Sequence, residues 1–173
     1  MTLLAWGRLP GDASAEDEPL VVAEAHAPVP EQTVCPAPSA PAYERPDEEA
    51  IETLAKVMWA EARGISDDAE VAAVGWTAAN RVAAGLARDI VDARTSPGQY
   101  AYYDDSPVTD RLAWLAEDVL TRWARERAGE TDVGRVLPKE YMWFGGDGEH
   151  NHFRNQYRGG ERWDWSLPSP YES

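Results

Sequence analysis

Apolar side chains recur at helical spacing through the middle of the chain. Ile51, Leu54, Ala55, Met58 and Ala62 share one face of a first helix. Asp47, Glu48 and Glu49 put negative charge at its start, where the helix dipole favours it, and Gly64 is placed to stop it. Ser66-Asp67-Asp68 opens a second helix, with Glu70 spaced to complete a capping box with Asp67. That helix carries Val71, Val74, Ala78 and Val82 and ends near Gly85. A short helix is expected around residues 89–93. A loop over residues 95–107 mixes turn-formers with Tyr100, Tyr102 and Tyr103. A long helix over residues 109–128 follows, with Leu112, Leu115, Val119, Leu120 and Trp123 on one face and Gly129 as its stop. From Val136 onward Gly and aromatic residues dominate without strand alternation, so loops with a short helix are expected there. The pattern predicts a mainly α domain with a loop-rich C-terminal part.

Composition separates the first quarter of the chain. Residues 1–45 contain Pro10, Pro19, Pro28, Pro30, Pro36, Pro38 and Pro41, and their acids outnumber Arg8 and Arg45. Such a segment buries little apolar surface and repels itself, so a disordered or extended acidic arm is expected. The division is an arm over residues 1–45 and a folded domain over residues 46–173. The arm suits attachment to a larger assembly, with Leu20-Val21-Val22 as its apolar contact. The whole chain has 173 residues and a formal net charge of −15. That charge argues against nucleic-acid binding and against anionic membrane surfaces. No stretch is long and apolar enough to span a membrane, so no membrane insertion is expected. The opening run Met1-Thr2-Leu3-Leu4-Ala5-Trp6 is too short for a signal-peptide core, so a chain made in the cytoplasm without an export signal is expected. Cys35 is the one cysteine, which excludes an intrachain disulfide and a cysteine-cluster zinc site.

One carboxylate sits awkwardly in this pattern. Continuing the first stripe from Leu54 and Met58 brings positions 61 and 62 to the core side, and position 61 is Glu. Desolvation there raises a carboxyl pKa, as a general acid near neutral pH requires. An ion pair between Glu61 and Arg63 or Arg81, tying two helices together, accounts for the same residue types. His150-Asn151-His152 offers two metal-type ligands at i and i+2 but no third, so no metal and no cofactor is expected. Trp59 and Trp76 are expected to pack between helices.

The stretch Leu54-Ala55-Lys56-Val57-Met58-Trp59-Ala60-Glu61-Ala62-Arg63-Gly64, followed by Val71 through Asn80-Arg81-Val82 and then Gln99-Tyr100, resembles the SleB-type cell wall hydrolases. That family has an acidic residue in an E-A-R-G motif at a helix end, a helix ending in N-R-V, and a loop with a Gln-aromatic pair. The resemblance implies a lysozyme-like helical domain that cleaves the β-1,4 bond between N-acetylmuramic acid and N-acetylglucosamine in peptidoglycan. It implies Glu61 as the catalytic residue, first acid and then base, giving a 1,6-anhydro end in the manner of lytic transglycosylases. A hydrolytic glycosidase needs a second carboxylate, and Asp104 and Asp105 are the acids beside the tyrosine loop; turn formation is their expected role. Gln99 and Tyr100 carry over as substrate-binding residues. Ser96, Tyr102 and Tyr103 join them by neighbourhood, because aromatic rings and amides suit sugar faces and hydroxyl rims. Met142-Trp143-Phe144 and His152-Phe153-Arg154-Asn155 are the counterparts of the family's C-terminal segments, which adds Trp143, Phe144, His152 and Asn155. Arg63, Asn80 and Arg81 are expected to support the site. The partner is then the glycan strand of the cell wall, reached after release from the cell or from a phage virion, with virion or tail proteins as partners of the arm. A non-catalytic wall-binding or virion module on the same scaffold is the alternative.

Overall fold

The apolar stripes become packed helices in the computed structural model, which describes residues 43–95, 100–101 and 103–172. Helix α1 is Glu48–Ala62, α2 Asp68–Ala83, α3 Ile90–Thr95 and α4 Asp110–Arg127; strands β1 (Trp143–Gly146) and β2 (Asn151–Arg154) follow. The fold is mainly helical. The expected arm lies outside the described residues up to position 42. Of its last residues, Tyr43, Glu44 and Arg45 are exposed, and Arg45 pairs with Glu117 on α4 at 3.0 Å.

Helix α2 is the centre of the core. Every residue from Ala69 to Arg81 is buried, as a helix enclosed by other elements must be. Small residues let its neighbours close in. At Gly75 an added Cβ would stand 2.4 Å from Met58 Cε of α1, 3.4 Å from Leu54 Cδ2 and 3.5 Å from Val119 Cγ1 of α4. Trp76, Leu54, Met58 and Leu115 are fully enclosed, each contributing about 1.5–3 kcal/mol by removing apolar surface from water.

The helix ends follow local chemistry, with two departures from expectation. Asp67 accepts the Ala69 N–H at 2.8 Å and Thr109 accepts the Leu112 N–H at 3.3 Å. Gly85 and Gly129 take positive φ just past α2 and α4, the left-handed exit that glycine permits. Gly64 does not; α1 leaves through Arg63 in right-handed helical geometry. The capping box is also not the use made of Glu70. That side chain turns inward and accepts from His150 and Asn151 instead.

The C-terminal part corrects the expectation of loops with a helix. Strands β1 and β2 form an antiparallel hairpin with Phe144 opposite Phe153 and Gly146 opposite Asn151. No helix follows Arg127 among the described residues. The strands are four residues each and β1 ends in two glycines, so alternation shows only in β2, where Asn151 and Phe153 face inward.

Asn80 fastens this segment to α2. Its amide donates to the Pro138 and Tyr141 carbonyls at 2.8 Å each, and its oxygen accepts from Arg135. The Arg135 guanidinium lies over the Trp76 ring at 4.1 Å. Asn80→Ala removes all three of these hydrogen bonds from a buried site and is expected to cost about 3 kcal/mol. A urea melt with an unchanged midpoint would contradict this role for Asn80.

Candidate functional site

Glu61 lies in the last turn of α1, beside the buried stripe of Leu54, Met58 and Ala62, and is itself half-buried. Its carboxylate accepts the main-chain N–H of Ala101, from the tyrosine loop. Burial pushes its pKa up; the Ala101 N–H and the charge of Arg81 oppose that without cancelling it. A carboxyl held this way keeps its proton to higher pH than an exposed one.

Arg81, near the end of α2, stands behind Glu61. Its Nε donates to the Met142 carbonyl at 2.8 Å. Its guanidinium sits 4.6 Å from the Tyr100 ring centre and 5.0 Å from that of Trp143, a cation–π arrangement strengthened by burial. Burial lowers the pKa of Arg81, and Tyr100 and Glu61 resist that. Thr77 donates its hydroxyl proton to the Val74 carbonyl at 2.7 Å, so the Tyr100 hydroxyl, 3.0 Å away, donates to Thr77. Burial also raises the pKa of Tyr100. Arg81 therefore joins α2, the tyrosine loop and the hairpin at one point.

The hairpin forms the opposite wall. The Asn151 side-chain amide donates to the main-chain carbonyl of Glu61 at 3.1 Å. It satisfies one of the carbonyls that a helix C-terminus leaves open. The Asn151 main-chain N–H donates to Glu70, and His150 Nδ1 lies 2.9 Å from the other Glu70 oxygen. Glu70 is 4% exposed, which makes this a buried clamp. Between the walls is a cleft of about 320 Å³, lined by Glu61, Arg63, Gly64, Glu149, His150 and Asn151 among others. A larger hollow of about 1520 Å³ opens between residues 43–50, α3 and α4. Size alone does not make that hollow the site. Among the acids that line it, Asp92 is held low by Arg88, whereas Glu61, whose pKa is raised, lines the smaller cleft.

The other expected residues scatter. Ser96, Gln99 and Tyr102 lie outside the described residues. Tyr100 lies against Arg81 with its hydroxyl spent on Thr77. Tyr103 is 59% exposed on the loop. Trp143 stacks edge-on with Tyr157 at 5.2 Å, and Phe144 faces Tyr100 and Phe153 at 6.1 and 5.6 Å. His152 is engaged by Asp147 and Arg162. Asn155 spends its side-chain oxygen on the Glu161 N–H at 2.9 Å, closing a loop. Arg63 is exposed at the cleft edge. Asp104 is exposed and pairs with Arg94 at 3.7 Å. His150 and His152 are bound by different carboxylates, and no cluster of three or more metal-type ligands occurs among the described residues. From the sequence Glu70 is expected as a cap, and His150 and His152 are weighed as metal-type ligands, but Glu70, His150 and Asn151 are not brought together. The available signal is a Glu within a helix made almost wholly of core residues.

No family model, curated protein or solved structure matches this chain. The resemblance to the SleB-type hydrolases rests on the residues themselves.

The raised pKa of Glu61 has a consequence for stability. The folded state holds this proton more tightly than the unfolded one, so the group's contribution to stability falls as pH rises from the unfolded pKa toward the folded pKa. Glu61→Gln removes a desolvated charge that exists only above that range. The variant is therefore expected to melt higher than wild type at about pH 7 and to converge with it at about pH 4. A lower melting temperature at neutral pH would contradict the assignment.

Proposed function

We propose that this chain is a peptidoglycan-cleaving enzyme of SleB-like type, with a lysozyme-like helical domain. Its substrate is the β-1,4 bond between N-acetylmuramic acid and N-acetylglucosamine. The observation that carries the reading is Glu61: a half-buried carboxyl with raised pKa at the end of a helix, opening onto a cleft. The E-A-R-G, N-R-V and Gln-aromatic segments give the same assignment by resemblance.

In this reading Glu61 first donates its proton to the glycosidic oxygen, and the bond from that oxygen to C1 of the muramoyl residue breaks. The resulting carboxylate then takes the proton of the 6-hydroxyl of the same sugar, whose oxygen closes onto C1. The product is a 1,6-anhydro end and Glu61 regains its proton. Ala101 N–H and Arg81 stabilise the ionised form between the two steps. Glu70 is not the second carboxylate of a hydrolase, because both its oxygens are committed to His150 and Asn151. Glu149 lines the same cleft, and that placement favours a second reading, hydrolysis with Glu149 activating water. The chain would reach the wall after release from the cell or as part of a virion.

Mass spectrometry of murein incubated with the purified protein tests this. Anhydro-muropeptides are expected. Reducing-end muropeptides support the hydrolytic reading, and Glu149→Gln then abolishes them. Glu61→Gln is expected to lower turnover by about a hundredfold or more. In wild type kcat/KM falls as pH rises through the Glu61 pKa, because the acid form is consumed. No products from wild-type protein would leave a wall-binding module in place of an enzyme.

A further inference from the structure

His150 stands apart from the residues that the proposed chemistry uses. It lines the Glu61 cleft, yet its side chain is 64% exposed while its partner Glu70 is almost wholly buried. Among the described residues its Nδ1 is engaged by Glu70 and its Nε2 has no protein partner. A buried carboxylate on one imidazole nitrogen fixes the tautomer and the ring plane, and leaves the far nitrogen for something outside the protein. The ring is thereby pre-set at little entropic cost on binding. Arg63 also lines the cleft, together with Glu61 and Glu149.

We propose that His150 is a substrate-contacting residue that recognises the lactyl group of the muramoyl unit through Nε2–H, with Glu70 as its positioning residue. This rests on the proposed peptidoglycan substrate. The lactyl carboxyl, free or amide-linked, is the oxygen acceptor that distinguishes muramic acid from N-acetylglucosamine. A protonated imidazole donates to such an oxygen; a neutral one, with its proton held on Nδ1 by Glu70, does not. The contact therefore selects muramoyl glycans over chitin and weakens as His150 loses its proton. The groups facing His150 are Glu70 from α2, Asp147 and Glu149 from the turn between β1 and β2, and Glu61 and Arg63 from the end of α1. The hydrogen bond to Glu70 and its charge raise the His150 pKa, so the donor form persists to higher pH than in a free imidazole.

The test uses full-length wild type, His150→Ala, His150→Gln, Glu70→Gln and Glu61→Gln. In wild type, KM for peptide-free murein glycan is expected to rise about tenfold as pH passes the His150 pKa, with kcat changing much less. In His150→Ala and His150→Gln that rise is absent and KM stays at the high-pH wild-type value. In Glu70→Gln the break moves to lower pH, which a purely structural role would not produce. Glu61→Gln is then titrated with murein glycan and with chitin oligomers of equal length, following the imidazole resonances of His150 by NMR. Murein is expected to shift them and to bind more tightly than chitin, and His150→Ala placed in the same background to lose that preference. Wild-type KM and pH profile in His150→Ala, or glycan binding that leaves the His150 resonances still, overturns the proposal while released muropeptides keep the enzymatic reading. Murein binding that shifts His150 without any product from wild type keeps the contact and removes the enzyme. Neither product nor binding overturns both.

Discussion

Helix α2 is enclosed on every side, and four of its buried residues are polar: Glu70, Thr77, Asn80 and Arg81. A buried polar group without a partner costs about 1–3 kcal/mol, and although Thr77 also bonds back to Val74 within the helix, each of the four has a partner from another segment. Glu70 holds the start of β2, Thr77 holds Tyr100, Asn80 holds the chain at Pro138 and Tyr141, and Arg81 holds Met142. The described residues of the tyrosine loop and the C-terminal third contain little regular structure, and this row of side chains fastens them to the core. The helical core makes the scaffold; the polar residues of its central helix decide where the loops lie.

Glu61 gains its environment from the same constraint. Helix α1 ends against α2, and the segments fastened to α2 close over that end. Ala101 comes from the loop that Tyr100 anchors, Asn151 from the hairpin that Glu70 anchors, and the Arg81 charge from α2 itself. One carboxyl is thereby half withdrawn from water and given the Ala101 N–H as a donor, with the charge of Arg81 acting on it. Burial dominates the outcome, and the pKa rises. An acid that must both give and recover a proton needs such a balance: enough desolvation to hold the proton, and enough positive charge to tolerate its loss.

Legibility in the sequence followed the range of the interactions. The helices were readable because their stripes repeat within a few residues; α1, α2 and α4 stand where the spacing of Ile51–Ala62, Val71–Val82 and Leu112–Trp123 put them. Glu61 was readable because it interrupts such a stripe. The hairpin was not, since four-residue strands with Gly145 and Gly146 leave no alternation to detect. Glu70 was misread for a different reason. Local spacing suggested a cap on Asp67, but the competing partners, His150 and Asn151, are about eighty residues away in sequence. Asn155 looked like a ligand and closes a loop on Glu161, a contact six residues away that composition does not reveal.

The most direct test of the central claim is a crystal structure of Glu61→Gln with a murein tetrasaccharide bound. The glycan is expected in the cleft between the end of α1 and the hairpin, with a glycosidic oxygen within hydrogen-bonding distance of the residue 61 side chain. A tetrasaccharide seated elsewhere, for example in the larger hollow beside α3 and α4, with residue 61 free of contact, would contradict it.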